Sequence, residues 1–315
     1  MSQPATNMEA TQLSQTLLQQ LSPQTAVRIR EPLAKRTTLR VGGPADLYIE
    51  PASETDLAAT LQFCAEHHLP FFVLGRGSNL LVRDGGFRGA VICLGNPAFA
   101  RLEVAGEQMR CGAGARLKSV AVEARRHSLG GLEFLEGIPG SVGGGLRMNA
   151  GAMGGSMFDV VVSVRSMDHS GRILERLSSQ MAVAYRSCAT LVSEIALEAL
   201  LRGKTEPRET IERRMNEFSH KRWESQPAAS SAGCMFKNPA SIPAGKLIDE
   251  LGLKGTRVGG ARVSLEHGNF LINDGSATAR DVLELIELVR ARALRERGIQ
   301  LRTEVEIIGE DGADA

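Results

Sequence analysis

Three short apolar runs in the first hundred residues have the length and composition of buried strands. These runs span residues 46–50, 71–74 and 90–94. Between the first two, Leu57, Leu61 and Cys64 recur on one side of a segment that reaches His67, which predicts an amphipathic helix. The order strand, helix, strand is typical of a parallel βαβ unit.

The middle of the chain, from residue 99 to residue 205, is mostly strand-like. The segment 117–124 is predicted to be helical, and Asp168-His169-Ser170-Gly171 is a hairpin signal. The predicted strands span residues 101–104, 108–111, 160–167, 172–177 and 195–201. We therefore expect an α+β unit here.

The composition shifts at residue 206, and the clearest helix of the chain follows at 279–297. Its apolar face consists of Val282, Leu285, Ile286, Val289 and Ala293. Gly298 is placed to cap its C-terminus. Further predicted elements are a charged helix at 209–223, a polar loop at 224–233, a short helix at 245–251 and a strand-like segment at 261–271. From Leu301 to Ile307 apolar and charged residues alternate, which predicts a last strand.

These patterns divide the chain into a leader, three units and a returning segment. The boundaries are 1–26, 27–98, 99–205, 206–300 and 301–315. In the leader, the spacing of Leu13, Leu17, Leu18 and Leu21 fits one short amphipathic helix, and a partly disordered tail is the alternative.

Charge and composition narrow the class of protein. The chain has 37 Lys and Arg against 36 Asp and Glu without a basic stripe, so we expect no nucleic-acid partner. No apolar run reaches the roughly 20 residues of a membrane-spanning helix, and residues 1–20 lack the features of a secretory signal. Scattered cysteines without metal-ligand spacing indicate reduced thiols in the cytoplasm and no metal site. They are Cys64, Cys93, Cys111, Cys188 and Cys234.

Two glycine-rich segments, at residues 75–80 and 136–152, are the strongest functional signal. Glycines at close spacing let backbone N–H groups converge on an anion, and a nucleotide pyrophosphate is the expected guest. The second segment has P-loop glycine spacing, but Leu146-Arg147 stands where Lys and Ser or Thr are required. The first lacks the third glycine of a Rossmann fingerprint. The alternative for either segment alone is a set of tight turns.

Three polar positions could carry chemistry. Arg186, within Tyr185-Arg186-Ser187, suits a carboxylate or phosphate because its guanidinium pairs bidentately, unless it is a surface arginine. Cys234 lies in the cluster Gly233-Cys234-Met235-Phe236-Lys237-Asn238, although a free cysteine is usually a small buried apolar residue. Glu304 and Glu306 share the polar face of the last predicted strand, where a solvated carboxylate is the alternative.

From Thr37 to Ile308 the chain resembles the UDP-N-acetylenolpyruvoylglucosamine reductase family. The resemblance rests on Thr37 to Ala45, Leu74 to Leu81, Gly137 to Gly144 with Asn149 to Ala152, Tyr185-Arg186-Ser187, Ala232 to Pro239, and Glu304 to Ile308. The two glycine-rich segments alone fit other members of the same FAD-binding superfamily, whereas the later three blocks are specific to the reductase. The distance from Tyr185 to Cys234 resembles the shorter subclass, which lacks a tyrosine-bearing loop.

The resemblance implies an α+β fold in which a two-domain FAD-binding module, of the PCMH/vanillyl-alcohol-oxidase type, is joined by a third α+β domain that binds substrate. The implied FAD-binding residues are Gly75, Arg76, Gly77, Ser78, Asn79, Leu80, Gly140, Ser141, Gly143, Gly144, Asn149, Ala150, Gly151 and Ala152. The implied substrate-binding residues are Tyr185, Arg186, Lys237 and Asn238, with Arg222 and Gln226 as weaker candidates near the UDP part.

The implied reaction belongs to peptidoglycan precursor synthesis in the cytoplasm, carried out by a monomer. NADPH gives a hydride to flavin N5, which passes it to C3 of the enolpyruvyl group of the UDP-sugar. Arg186 and Glu304 would hold the carboxylate on which charge grows, with Glu304 requiring a raised pKa to donate. Protonation at C2 would fall to Cys234.

Cys234 departs from the family pattern, in which this position is usually serine. The thiol pKa lies near 8.5 in a free side chain, and we expect Arg186 and Lys237 to lower it, giving a basic-limb pH dependence and sensitivity to alkylating agents. Two alternatives remain: another FAD-dependent oxidoreductase of the same fold, or a flavin-binding sensor without turnover.

Overall fold

The first unit of the computed structural model, which describes residues 7–312, is a four-stranded sheet. Its strands lie in the order Ala26–Pro32, Pro44–Glu50, Phe87–Cys93 and Phe71–Leu74. The last three run parallel and the first antiparallel. The helix Glu54–Glu66 connects two of the parallel strands, and the hydroxyl of Ser53 caps it by accepting the amide of Asp56. The predicted βαβ unit is confirmed.

The helix Asn7–Leu18 packs onto this sheet. Leu17 is fully buried beside Leu47, Ile49 and Phe63, whereas Leu18 is exposed. The helical alternative for this part of the leader is therefore confirmed, and residues 1–6 lie outside the described residues.

The middle unit is built on a five-stranded antiparallel sheet. The strands lie in the order Ile173–Leu177, Val161–Asp168, Glu194–Arg202, Gln108–Gly112 and Leu102–Ala105. The predicted hairpin is confirmed: Asp168 accepts the amides of Ser170 and Arg172 through one carboxylate oxygen. The helices Leu117–Arg126 and Val142–Arg147 pack against this sheet, and the second of them lies within the second glycine-rich segment.

The helix Arg208–Ser225 packs on the middle unit. Its buried residues Ile211 and Met215 belong to the same core as Leu129 and Leu132. The composition shift at residue 206 is therefore not a packing boundary, because the apolar face of this helix is complementary to the middle unit. The core of the third unit contains only residues that follow the helix and a few from the first unit, such as Leu39.

The third unit combines a four-stranded sheet with two helices. The sheet order is Ser230–Cys234, Phe270–Asn273, Ala261–Val263 and Arg257–Val258, and the helices are Ala244–Glu250 and Ala279–Arg297. The last helix matches its predicted bounds, with Thr278 in a capping box and Gly298 in the left-handed region at φ 65°. The single strand predicted at 261–271 is wrong, since Ser264 accepts the amides of Glu266 and His267 and closes a turn.

The final segment joins the third unit to the first. Only Glu306–Ile308 form a strand, which pairs in parallel with Leu80–Val82. The preceding residues are extended against a loop of the third unit, where the amide of Glu304 donates to Met235 O at 2.8 Å. The predicted strand 301–307 therefore begins too early, although Leu301 and Val305 are buried as its alternation requires. Within the described residues no helix is long and apolar enough to span a membrane.

Candidate active site

Residues of all three units line one large cleft with a volume of about 1900 Å³. Every residue of the first glycine-rich segment, Gly75 to Leu80, lies on its wall. Gly77 has φ 60°, and a Cβ there would lie 2.4 Å from Arg36 O, so glycine is required at this turn. Within residues 7–312, the amides of Arg76, Gly77, Ser78 and Asn79 donate to no backbone or side-chain acceptor. They are free to bind an anion.

The second glycine-rich segment lines the cleft next to the first. Ser141 caps the helix Val142–Arg147, and a Cβ on Gly75 would lie 2.8 Å from its hydroxyl, so the two segments are in contact. The lining residues among those predicted are Gly140, Ser141, Gly143, Gly144, Ala150, Gly151 and Ala152. Asn149 does not line the cleft: its amide group donates to Ala184 O and accepts from Phe158 N, which fixes a turn with φ 38°.

Two guanidinium groups add positive charge to this wall. Burial lowers the pKa of Arg76, and the charge of Arg116 lowers it further. Both residues line the cleft. An anion bound near them would relieve their repulsion and would also accept hydrogen bonds from the free amides. This part of the cleft therefore suits a pyrophosphate.

Arg186, Cys234 and Glu304 are brought together in the cleft although they come from three separate parts of the chain. Arg186 Nε donates to Glu304 Oε1 at 2.8 Å. Arg186 lies in the tight turn between Val183–Ala184 and Ser187–Cys188, with φ 55°. The charges of Arg186 and Glu304 both act on the pKa of the Cys234 thiol, as expected for neighbouring groups.

Both glycine-rich segments hold this group in place. The side-chain amide of Asn79 donates to the backbone carbonyl of Glu304 at 3.1 Å. Arg186 Nη2 lies 3.5 Å from the carbonyl oxygen of Gly151. The residues expected to bind a cofactor therefore also position the arginine and the carboxylate.

Burial raises the pKa values of both Cys234 and Glu304. It raises the pKa of Cys234 to about 11, with the charge of Glu304 acting in the same direction and Arg186 opposing it. The expectation that neighbouring cations would lower this pKa is wrong, because desolvation and the carboxylate outweigh them. Burial also raises the pKa of Glu304, against the opposing effects of Arg186 and Lys237. At neutral pH Cys234 is a thiol.

The predicted substrate-binding residues separate into two groups. Arg222 and Gln226 line the cleft, and the Arg222 guanidinium donates to Gly137 O. Tyr185, Lys237 and Asn238 lie outside its wall. Tyr185 is 57% exposed, with its ring centroid 5.0 Å from the guanidinium carbon of Arg186. Asn238 caps a helix by accepting the amide of Ala244 at 3.0 Å.

Sequence reasoning missed several residues of the cleft. Arg147 pairs with Glu306 at 3.6 Å, so a second Arg–Glu pair lies two residues along the final segment from the first. Because Glu304 and Glu306 share one face of the predicted strand, the sequence did contain a signal for this pair. No sequence pattern identifies Arg116 or Trp223 as residues of the cleft. Among the described residues no group of His, Cys, Asp and Glu could hold a metal.

Comparison with known proteins agrees with this geometry. A model of the FAD binding domain matches residues 45–176, and one of the UDP-N-acetylenolpyruvoylglucosamine reductase C-terminal domain matches residues 226–308. The second match begins just after the helix Arg208–Ser225. The expected FAD-binding module with a further α+β domain is therefore confirmed.

Relatives cover nearly the whole chain. The UDP-N-acetylenolpyruvoylglucosamine reductase of Syntrophomonas wolfei is 42% identical over 92% of this chain and 97% of its own length. The reductase of Heliobacterium modesticaldum is 45% identical over 90% of this chain and 91% of its own length. The crystal structure of the Thermus caldophilus reductase superposes with a TM-score of 0.78 at 39% identity, covering 90% of this chain and 98% of its own. This chain belongs to the UDP-N-acetylenolpyruvoylglucosamine reductase family and is an FAD-dependent oxidoreductase.

Proposed function

We propose that the protein uses NADPH to reduce the enolpyruvyl group of UDP-N-acetylglucosamine enolpyruvate, forming UDP-N-acetylmuramate for peptidoglycan. The observation that carries this proposal is the grouping of Arg186, Cys234 and Glu304 in a cleft lined by both glycine-rich segments. A cation, a neutral acid and a carboxyl group are what the reduction of an enol ether that bears a carboxylate requires.

The cleft fits FAD. The free amides of residues 76–79, with Arg76 and Arg116, provide donors for its pyrophosphate. A Cβ on residue 75 would lie 2.8 Å from the Ser141 hydroxyl, so glycine lets the two segments approach closely at this point. Bound there, FAD supplies the hydride for reduction. The chain itself provides the binding groups and the proton.

Arg186 binds the substrate carboxylate and stabilises the charge that develops on it. Its Nε is held by Glu304, so the guanidinium is oriented before the substrate arrives. Removing one preorganised donor of this kind typically costs ~3–4 kcal/mol of transition-state stabilisation. Glu304 fixes the plane of the guanidinium. Burial raises the pKa of Glu304, but Arg186 and Lys237 oppose that effect and favour the carboxylate that accepts from Arg186.

Cys234 protonates the substrate at C2. The Sγ–H bond breaks, the proton moves to carbon, and the thiolate remains beside Arg186 until a proton from solvent restores it. A pKa of about 11 keeps the proton on sulfur before the reaction. Arg186 limits the cost of the thiolate because its charge favours the ionised form.

Arg222 and Gln226 are proposed to contact the UDP part of the substrate, since both line the cleft. For Tyr185, Lys237 and Asn238 a substrate contact stays a prediction from the resemblance. Lys237 lies near enough for its charge to lower the pKa of Glu304, which supports a role for it close to the reacting end.

The test is NADPH oxidation by purified protein, with and without the enolpyruvyl sugar nucleotide. We expect a yellow protein that consumes NADPH only when the sugar nucleotide is present and forms UDP-N-acetylmuramate. Equal NADPH consumption without the sugar nucleotide would indicate a different flavin oxidoreductase. Bound flavin without turnover in either assay would indicate a sensor.

A further inference from the structure

Trp223 is the single tryptophan of the chain and is 64% exposed. It lies in the last turn of the helix Arg208–Ser225, and it lines the cleft. Other exposed apolar side chains, such as Leu265 and Leu294, do not reach the cleft wall. A large aromatic ring at the edge of a ligand cleft presents a flat apolar surface without a partner from the described protein core.

The residues next to Trp223 provide charge and hydrogen-bonding groups. The guanidinium carbon of Arg222 lies 6.0 Å from the Trp223 ring centroid, and Gln226 lines the cleft just beyond the helix. Arg222 donates to Gly137 O, at the start of the second glycine-rich segment. A guanidinium can pair with the oxygens of a diphosphate, and an adjacent flat ring can stack on the nucleobase attached to it.

This group is separate from the reacting end of the cleft. Arg222 donates to Gly137 O near the start of the second glycine-rich segment, whereas Arg186 Nη2 lies 3.5 Å from Gly151 O near its end. A ligand that places its reacting atoms at Arg186 would therefore extend its non-reacting part toward Arg222 and Trp223. In a nucleotide substrate that part carries the diphosphate and the base.

We propose that Trp223 is a stacking platform for the nucleobase of the nucleotide that enters the cleft, with Arg222 on the adjacent diphosphate. The inference rests on the proposed function for the identity of that nucleotide. Apart from the adenine of FAD, whose pyrophosphate is assigned to residues 76–79, the cleft receives two bases attached to a diphosphate: uracil of the sugar nucleotide and adenine of NADPH. The experiment separates these two.

Tryptophan emission reports on this residue alone, so it can be followed directly in the flavin-containing protein. We expect saturable quenching by UDP if uracil stacks, or by NADP⁺ if adenine stacks, after correction with free N-acetyltryptophanamide. Inorganic pyrophosphate, which lacks a base, should bind without quenching. Absence of saturable quenching by either nucleotide would overturn the proposal.

The variant Trp223→Ala should weaken calorimetric binding of the stacking nucleotide by about five- to a hundredfold, in line with base–aromatic stacking elsewhere. Its affinity for pyrophosphate should stay unchanged, and Trp223→Phe should restore most of the loss. Leu294→Ala, exposed on a different helix, is the control and should bind as the parent does. Unchanged nucleotide affinity in Trp223→Ala would also overturn the proposal. Because binding of UDP needs no turnover, an inactive parent protein would contradict the proposed function and still allow this test.

Discussion

The side-chain amide of Asn79 donates a hydrogen bond of 3.1 Å to the backbone carbonyl of Glu304. The amide of Glu306 donates back to Asn79 O at 3.1 Å. A residue of the first glycine-rich segment thus fixes the final segment of the chain on both sides of Val305. The proposed FAD site and the carboxylate that pairs with Arg186 are therefore linked through Asn79.

Replacing Asn79 by alanine should lower kcat because the Glu304 backbone loses its support. We expect kcat to fall roughly fivefold, because the lost hydrogen bond is only partly buried and is worth about 1 kcal/mol. The measurement is kcat and KM, normalised to bound flavin. Asn96→Ala, which removes a side-chain hydrogen bond accepted from the Ala98 amide outside the cleft, is the control. If the Asn79→Ala variant bound less flavin but kept the parent kcat per bound flavin, a positioning role for Asn79 would be contradicted.

The high pKa of Cys234 makes a specific prediction about pH. Because the pKa is about 11, the thiol stays protonated through the neutral range, and activity should not fall on the basic side until pH approaches that value. Alkylation by iodoacetamide should be slow at pH 8 and accelerate as the thiolate forms. A basic limb near pH 8 that is absent in Cys234→Ser would show that burial does not control this thiol.

The charge of Glu304 raises the pKa of Cys234. Glu304→Gln removes that charge, so the pH midpoint of Cys234 alkylation should move down, and Arg186→Gln should move it up. Each shift is read from the alkylation rate against pH, with no need for turnover. Glu306→Gln serves as the control because Glu306 pairs with Arg147 instead. Equal shifts in Glu304→Gln and Glu306→Gln would contradict the local arrangement.

Stability should depend on Asp56, which is 4% exposed at the start of a helix in the first unit. Burial raises its pKa, but hydrogen bonds from Ser22 N, Ser22 Oγ and Ser53 Oγ together lower it below the ordinary value. Its contribution is therefore present above the unfolded pKa of about 3.9 and is lost as pH falls through the folded pKa. Asp56→Asn should lower the free energy of unfolding by about 1–3 kcal/mol at pH 7.

Urea denaturation at pH 7 and at pH 3 checks this prediction. The difference in unfolding free energy between Asp56→Asn and the parent should shrink at the lower pH. A difference of the same size at both values would show that the carboxylate charge is not what the hydrogen bonds stabilise.

Elements set by local chemistry were predictable from the sequence. The helix 279–297 has an apolar stripe, a capping box and a terminal glycine within its own residues. The bounds of the last strand were not, because they depend on pairing with Leu80–Val82, far away in the chain. The packing of the helix Arg208–Ser225 likewise depends on a complementary surface in the middle unit.

The candidate site divides in the same way. Glycine-rich segments and polar clusters identified the cleft wall and the group of Arg186, Cys234 and Glu304. The direction of the Cys234 pKa shift was wrong because burial is not visible in a sequence. Asn149 and Asn238 have the residue types of ligand contacts, yet both use their side chains to fix backbone turns or helix ends.

The most direct test of the proposed reaction is the oxidation of pre-reduced flavin by the enolpyruvyl sugar nucleotide, followed without oxygen in a stopped-flow instrument. The parent protein should reoxidise its flavin and form UDP-N-acetylmuramate. Cys234→Ala should be reduced by NADPH at the parent rate but reoxidise roughly 10²- to 10⁴-fold more slowly, as expected for loss of a general acid. Flavin that stays reduced in the parent protein, or reoxidation of Cys234→Ala at the parent rate, would contradict it.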